Sequence, residues 1–175
     1  DGSRNLVYEV DIRSGAVSIL TAFPPIPNTF PVGGPFVEAV PTGIEYSDGQ
    51  LLVSLFTGVP FGPGDSRVVA VDPKTGAQTP LISGLKTAIE TLPIRNGADT
   101  DWLVLQHASE GLFFGSPGSL LRFETPDGTP TVIAGGTVDS IFCLTRPTSM
   151  TLDEKTGTLY VTEYGGRIVT IPIAP

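Results

Sequence analysis

One short pattern occurs three times in this chain, and it constrains the fold more than any other feature. The first copy is Pro41-Thr42-Gly43-Ile44-Glu45-Tyr46, then Asp48-Gly49-Gln50, then Leu51-Leu52-Val53-Ser54. The second is Thr87-Ala88-Ile89-Glu90-Thr91, then Asn96-Gly97, then Trp102-Leu103-Val104-Leu105. The third is Pro147-Thr148-Ser149-Met150-Thr151-Leu152, then Lys155-Thr156-Gly157, then Leu159-Tyr160-Val161-Thr162. Each is a short strand, a turn that needs glycine, and a second apolar strand, which together make a β-hairpin. Another hairpin follows the first two copies. Ser66 to Asp72 leads through Pro73-Lys74-Thr75-Gly76 to Thr79-Pro80-Leu81-Ile82, and Ser119 to Glu124 leads through Pro126-Asp127-Gly128 to Pro130 to Ala134. The start of the chain fits the same half-unit, with Leu6 to Asp11, Arg13-Ser14-Gly15 and Ala16 to Leu20.

Taking Ile44, Ile89 and Met150 as equivalent, the copies are 45 and 61 residues apart. The first spacing suits one four-stranded blade of a β-propeller, at roughly 40–50 residues. The second leaves room for an insertion, within Ser109 to Pro117 or Gly135 to Arg146. The expected fold is therefore all-β, made of four-stranded antiparallel blades. Residues 1–23 supply the last two strands of a split blade, 41–85 and 86–139 one blade each, and 147–175 the first three strands of another split blade. Residues 24–40 form a Pro-rich connecting loop. Thirteen strands in units of four make about three and a quarter blades, half of a six- or seven-bladed ring. Such a stack leaves strand edges bare, so another segment or another copy of the chain is expected to complete it. Gly (21) and Pro (17) make up about a fifth of the 175 residues, against a usual ~12%, and that density of chain-breakers favours short strands.

The net charge of −8 argues against nucleic acid, whose phosphates need a basic surface, and equally against an anionic membrane surface. No apolar run approaches the ~20 residues that span a bilayer. Cys143 is the single cysteine, so no internal disulfide forms, and its apolar neighbours suit a buried thiol. The opening Asp1-Gly2-Ser3 carries neither initiator Met nor signal peptide, as expected of a processed or truncated N-terminus.

Leu55-Phe56-Thr57-Gly58-Val59-Pro60-Phe61-Gly62-Pro63-Gly64 resembles the signature of the ScyD/ScyE family of secreted propeller proteins. Several neighbours agree in order: Ala39 to Ile44, Val71-Asp72-Pro73, Gly111-Leu112-Phe113-Phe114-Gly115 with Gly118 to Arg122, and Gly157 to Glu163. The similarity is collinear from about Leu6 to Ile171 and covers the C-terminal half of a typical member. It implies an extracellular, NHL-like propeller without established catalytic activity. The chain departs from the family's pattern at Ile94 to Asp101, a longer polar loop, and at Ser140 to Arg146, an apolar insertion.

Candidate chemistry is sparse. His107 is the only histidine and stands level with Phe56 and Tyr164, so it is either an aromatic-sized packing residue or a general base. No Gly-x-Ser-x-Gly elbow accompanies it. Glu45 and Glu90 share one column of the innermost strand, facing the central channel, and Glu163 follows in the next strand. These carboxylates either hold Ca²⁺, the one cofactor the sequence suggests, or accept hydrogen bonds from neighbouring blades. Phe30, Phe36 and Phe61 are candidates for a recognition loop over the ring face, where the Pro-rich segment is either a binding element or a plain connector. Trp102 and the tyrosines suit either carbohydrate contact or packing between blades.

The leading functional expectation is a non-catalytic, secreted binding or assembly module that neither binds nucleic acid nor inserts in a membrane. Its ring is completed by another copy or by a missing N-terminal half. The alternative is a calcium-dependent lactonase or esterase of the six-bladed propeller type.

Overall fold

The computed structural model describes residues 1–110, 116–135 and 143–173. Both stretches expected to hold the insertion lie largely outside them, as does Gly111 to Gly115. Among the described residues every regular element is a β-strand, and no helix is long and apolar enough to cross a membrane. The strands are β1 (Leu6–Val10), β2 (Val17–Ala22), β3 (Ile26–Pro27), β4 (Phe36–Val37), β5 (Ala39–Ser47), β6 (Gln50–Thr57), β7 (Ser66–Val71) and β8 (Gln78–Leu85). They continue as β9 (Ala88–Asn96), β10 (Asp99–Gln106), β11 (Ser119–Phe123), β12 (Thr131–Gly135), β13 (Pro147–Asp153), β14 (Thr158–Glu163) and β15 (Ile168–Pro172). The sheets are β1–β2, β3–β4, β5–β6–β7–β8, β9–β10–β11–β12 and β13–β14–β15. All pairings are antiparallel between sequence neighbours.

Both faces of the middle sheets are apolar, and each face packs on a different neighbour. In β6, Val53 and Leu55 join Val7 and Phe23 in one core, whereas Leu52 joins Val104, Leu121 and Phe123 of the next sheet in a second. In β10 the same alternation recurs: Val104 faces back into the second core, and Leu103 and Leu105 face forward into a third with Met150, Leu159, Val161 and Ile171. A strand buried on both faces reads as a continuous apolar run, as β6 and β10 do, because successive side chains point to opposite sides.

Closest approach between successive four- and three-stranded sheets involves their first strands. β9 lies against β5 and β6, and β13 against β9 and β10. Gly43 makes the first of these contacts possible: a Cβ there would sit 2.6 Å from the Ile89 carbonyl oxygen. Hydroxyls tie the same seam, since Ser54 Oγ lies 2.9 Å from Thr91 Oγ1 and the Thr42 hydroxyl donates to the Ala88 carbonyl at 3.4 Å.

Three turns use the same device. Asp11, Asp72 and Asp153 each begin an Asp-x-x-(Ser/Thr)-Gly segment, and each side chain accepts the amide of the residue two positions on. The glycines carry φ of 72°, 71° and 64°. These bonds, led by the Ser14 amide, the Lys74 amide and the Thr156 hydroxyl respectively, hold all three carboxyls below the usual aspartate range.

The segment 24–40, expected as a Pro-rich connecting loop, carries the short hairpin β3–β4. Its turn is held by Asn28, whose side-chain amide donates to the Val32 and Gly34 carbonyls while its Oδ1 accepts the Phe30 amide.

Candidate functional site

The strand register corrects the expected column of glutamates. Glu45 pairs with Leu52, but Glu90 pairs with Leu105, two positions beyond Leu103, the counterpart of Leu52. Glu90 therefore stands level with Gly43, and Leu92 with Glu45. The cause is hairpin length. From Glu45 the turn-flanking pair Ser47–Gln50 is two residues on, whereas from Leu92 the pair Asn96–Asp99 is four residues on. A shift of two preserves the face, because side chains repeat every second residue. Both glutamates still point forward from their own sheets.

Glu90 reaches the third sheet, where its Oε2 accepts the Met150 amide at 2.5 Å. Burial raises its pKa above the ordinary glutamate value; the Met150 amide and Ser149 hydroxyl offset part of the rise, and the charge of Glu45 adds to it. The two carboxylates are thus electrostatic neighbours at the seam of three sheets. Glu163 does not join them. It is 5% exposed; Oε1 accepts the Thr145 amide at 2.7 Å, and Arg167 donates to Oε2 at 2.6 Å and to Oε1 at 3.0 Å. Burial opposes its ionisation, but Arg167 and the Thr145 amide outweigh burial and hold the carboxyl below its ordinary range. Gln106 has the same place in β10, with Oε1 accepting the Lys86 amide and Nε2 donating to the third-strand Ser119 hydroxyl. The side chain at this place clamps the loop before the first strand and also reaches the third strand or the turn that leads into it. Among the described residues no group of three or more His, Cys, Asp or Glu is arranged to hold a metal ion.

His107 lies level with Phe56, and their rings meet edge-on with centroids 6.3 Å apart. Its Nδ1 is 2.9 Å from the Pro147 carbonyl, which only accepts, so Nδ1 carries the proton. Phe61 also meets Phe56 edge-on, with centroids 5.6 Å apart. Thr42, Phe56, Phe61, Ile89 and His107 line an open cleft of about 250 Å³. Of the other loop candidates, Phe30 packs beside Gly62, and Phe36 is 62% exposed on β4. Trp102 is half-buried against the second core. Of two larger grooves, one of about 460 Å³ lies beside Ile94 and Lys155, and one of about 420 Å³ beside Leu85 and Phe123 is lined in part by Gln106 and its partners Lys86 and Ser119.

One residue of this region carried no readable signal in the sequence. Asp65, 1% exposed, accepts the Thr29 hydroxyl at 2.6 Å and so fastens the Pro-rich hairpin to the 58–65 loop. An aspartate beside Gly64 in a Gly/Pro-rich loop looks like any turn residue.

These features define an all-β protein of successive antiparallel sheets with an aromatic cleft and a carboxylate pair near its first strands. No protein-family model matches the chain, and a search of curated proteins returns no match.

Proposed function

We propose that the chain is part of a β-propeller of the ScyD/ScyE kind, a secreted, non-catalytic module for binding or assembly. The observation that carries this reading is the convergence of the first strands. β9 lies against β5 and β6, and β13 against β9 and β10, while later strands of successive sheets approach less; blades fanning out from a common axis would approach one another in this way. Meander strand order within each sheet supports it. So does the apolar character of the uncovered end: Val10, Val17 and Ile19 of the first hairpin are each more than half exposed. Closing the ring takes further sheets, from a second copy or from chain outside these residues. Light scattering behind a sizing column tests this. A mass near twice 18.3 kDa supports a ring shared by two copies, and a folded, stable monomer counts against self-completion.

A second reading, a calcium-dependent lactonase or esterase, has one observation in its favour: the repulsion between Glu45 and Glu90, which a cation would relieve. Two carboxylates fall well short of the roughly six to eight oxygens calcium takes, so the remainder would come from the completed ring. Under this reading a chelator lowers Tm and abolishes lactone hydrolysis; if it changes neither, the reading fails.

A further inference from the structure

We propose that Asn96 is a site of self-modification, where the chain itself converts the side-chain amide to a carboxylate, and that the change loosens the buried Asp101–Arg122 pair. The reaction is intramolecular, so its partners are held together by the chain. The Gly97 backbone nitrogen adds to Asn96 Cγ, the Cγ–Nδ2 bond breaks, and Nδ2 leaves as ammonia with the proton given up by Gly97. Water then opens the five-membered succinimide at either carbonyl, leaving an aspartate or an iso-aspartate at position 96. One water is consumed and one ammonia released, with no oxidant or reductant.

Three asparagines occur in the chain, and the structure separates Asn96 from the other two. The step needs an unencumbered amide on the following residue. After Asn5, the Leu6 amide donates to the Asp1 carbonyl at 3.1 Å; after Asn28, the Thr29 amide donates to Asp65 Oδ2 at 3.5 Å. Leu6 and Thr29 also carry side chains that crowd the attacking nitrogen, which glycine lacks. The Gly97 amide donates to no partner among the described residues, and a Cβ built on Gly97 would meet nothing within 4 Å. Asn96 and Gly97 are both exposed, just where the Asn96–Asp99 pair closes the β9–β10 hairpin. The electrophile differs too. Asn28 is held at both ends, Nδ2 by the Val32 and Gly34 carbonyls and Oδ1 by the Phe30 amide, whereas among the described residues Asn96 is held through Nδ2 alone.

What Asn96 holds gives the change its consequence. Nδ2 donates at 3.2 Å to Oδ2 of Asp101, a residue 1% exposed. The same oxygen receives Arg122 Nε and Nη2, each at 2.7 Å, which ties β10 to β11. A carboxylate at position 96 has no hydrogen to donate. It removes one of these donors from Asp101 Oδ2 and sets a like charge against it. Burial leaves Asp101 little water to replace the lost donor. The iso-aspartate product also lengthens the β9 backbone by one carbon opposite Asp99.

Peptide mapping by mass spectrometry reads the reaction in the whole folded chain, aged in mildly alkaline buffer. Position 96 is expected to gain one mass unit at least about tenfold faster than Asn5 or Asn28. Asn96→Gln should abolish the gain, because its six-membered ring closes far more slowly. No gain at Asn96 by the time a sample kept unfolded in urea has converted fully overturns the site, as does equal conversion at Asn5 or Asn28. Urea denaturation of Asn96→Asp at neutral pH reads the consequence. Its folding constant should fall at least about threefold, and an Asp101→Asn background should remove that loss. Hydrogen exchange of the β10 and β11 amides in Asn96→Asp should quicken by a similar factor, a readout that stands even where Asp101→Asn does not fold. A variant as stable as the unaltered chain, unchanged exchange, or a loss that persists without the Asp101 charge overturns the coupling. Neither measurement depends on the ring reading.

Discussion

Two forward faces of the same repeat differ sharply in this molecule. On the second sheet the forward face carries Leu103, Leu105 and Leu120, none of them exposed, against the third sheet. On the third sheet the matching face carries Ser149, Thr151, Tyr160, Thr162, Ile168 and Thr170, all exposed. Tyr160 occupies the place of Leu103 and Leu52 and is 39% exposed, while its neighbour Val161, facing back, is fully buried like Val104. The strand scaffold is thus indifferent to which face is covered. What differs is side-chain chemistry, leucine where a neighbour sits and hydroxyls with tyrosine where none does among the described residues.

The comparison can be broken from its buried side first. Leu103→Ala leaves a cavity between two sheets and should cost about 2–5 kcal/mol, read by urea denaturation. Gly43→Ala forces β5 from β9 and should cost about 1–3 kcal/mol, with the loss concentrated at the first seam in hydrogen exchange. Glu163→Ala strands the Thr145 amide and should cost about 1–3 kcal/mol at neutral pH.

The carboxylates add a prediction with two limbs. Glu90 has a raised pKa, so it favours folding in its neutral form, and stability should rise as pH falls from neutrality toward about 4.3, its unfolded value. Glu163, Asp11, Asp72 and Asp153 have lowered values, so their contributions are present above their unfolded pKa and are lost as pH falls through the folded ones. Thermal melts from pH 8 to 2 should therefore peak in mild acid. Glu90→Gln should flatten the upper limb only, and a peak that survives this change contradicts the assignment. The smallest effect belongs to the uncovered face. Tyr160→Thr should alter the stability of the isolated chain by no more than about 0.5 kcal/mol, yet it should weaken any assembly that buries this face. A large loss of monomer stability would mean the face is already covered.

Antiparallel hairpins were legible in the sequence because glycine at the turns and apolar runs between them act locally. Leu51 to Ser54 and Trp102 to Leu105 were correctly equated, since second strands lie at fixed distance from their partners. First strands were not. Ile44-Glu45 and Ile89-Glu90 look alike, but two extra residues on each hairpin arm place them out of step, and nothing in either pair reveals arm length. The β3–β4 hairpin was hidden by prolines that ordinarily argue against strands. At the candidate site, the aromatic column of Phe56 and His107 was readable from spacing. The Asp65–Thr29 bond was not, because its partners are 36 residues apart and neither stands out in composition. The clamp formed by Glu163 was not legible, since its partner Arg167 lies beyond the strand in a turn.

Among the described residues, every strand pairs only with the strand before or after it in the chain. Loop-closure entropy is therefore small for each of these hairpins, and none of these strand pairings waits for a distant segment. A chain emerging residue by residue can complete one sheet, dock it on the last, and begin the next. Growth by whole units in this way lets a gene gain or lose a sheet while leaving the folding steps of the others intact.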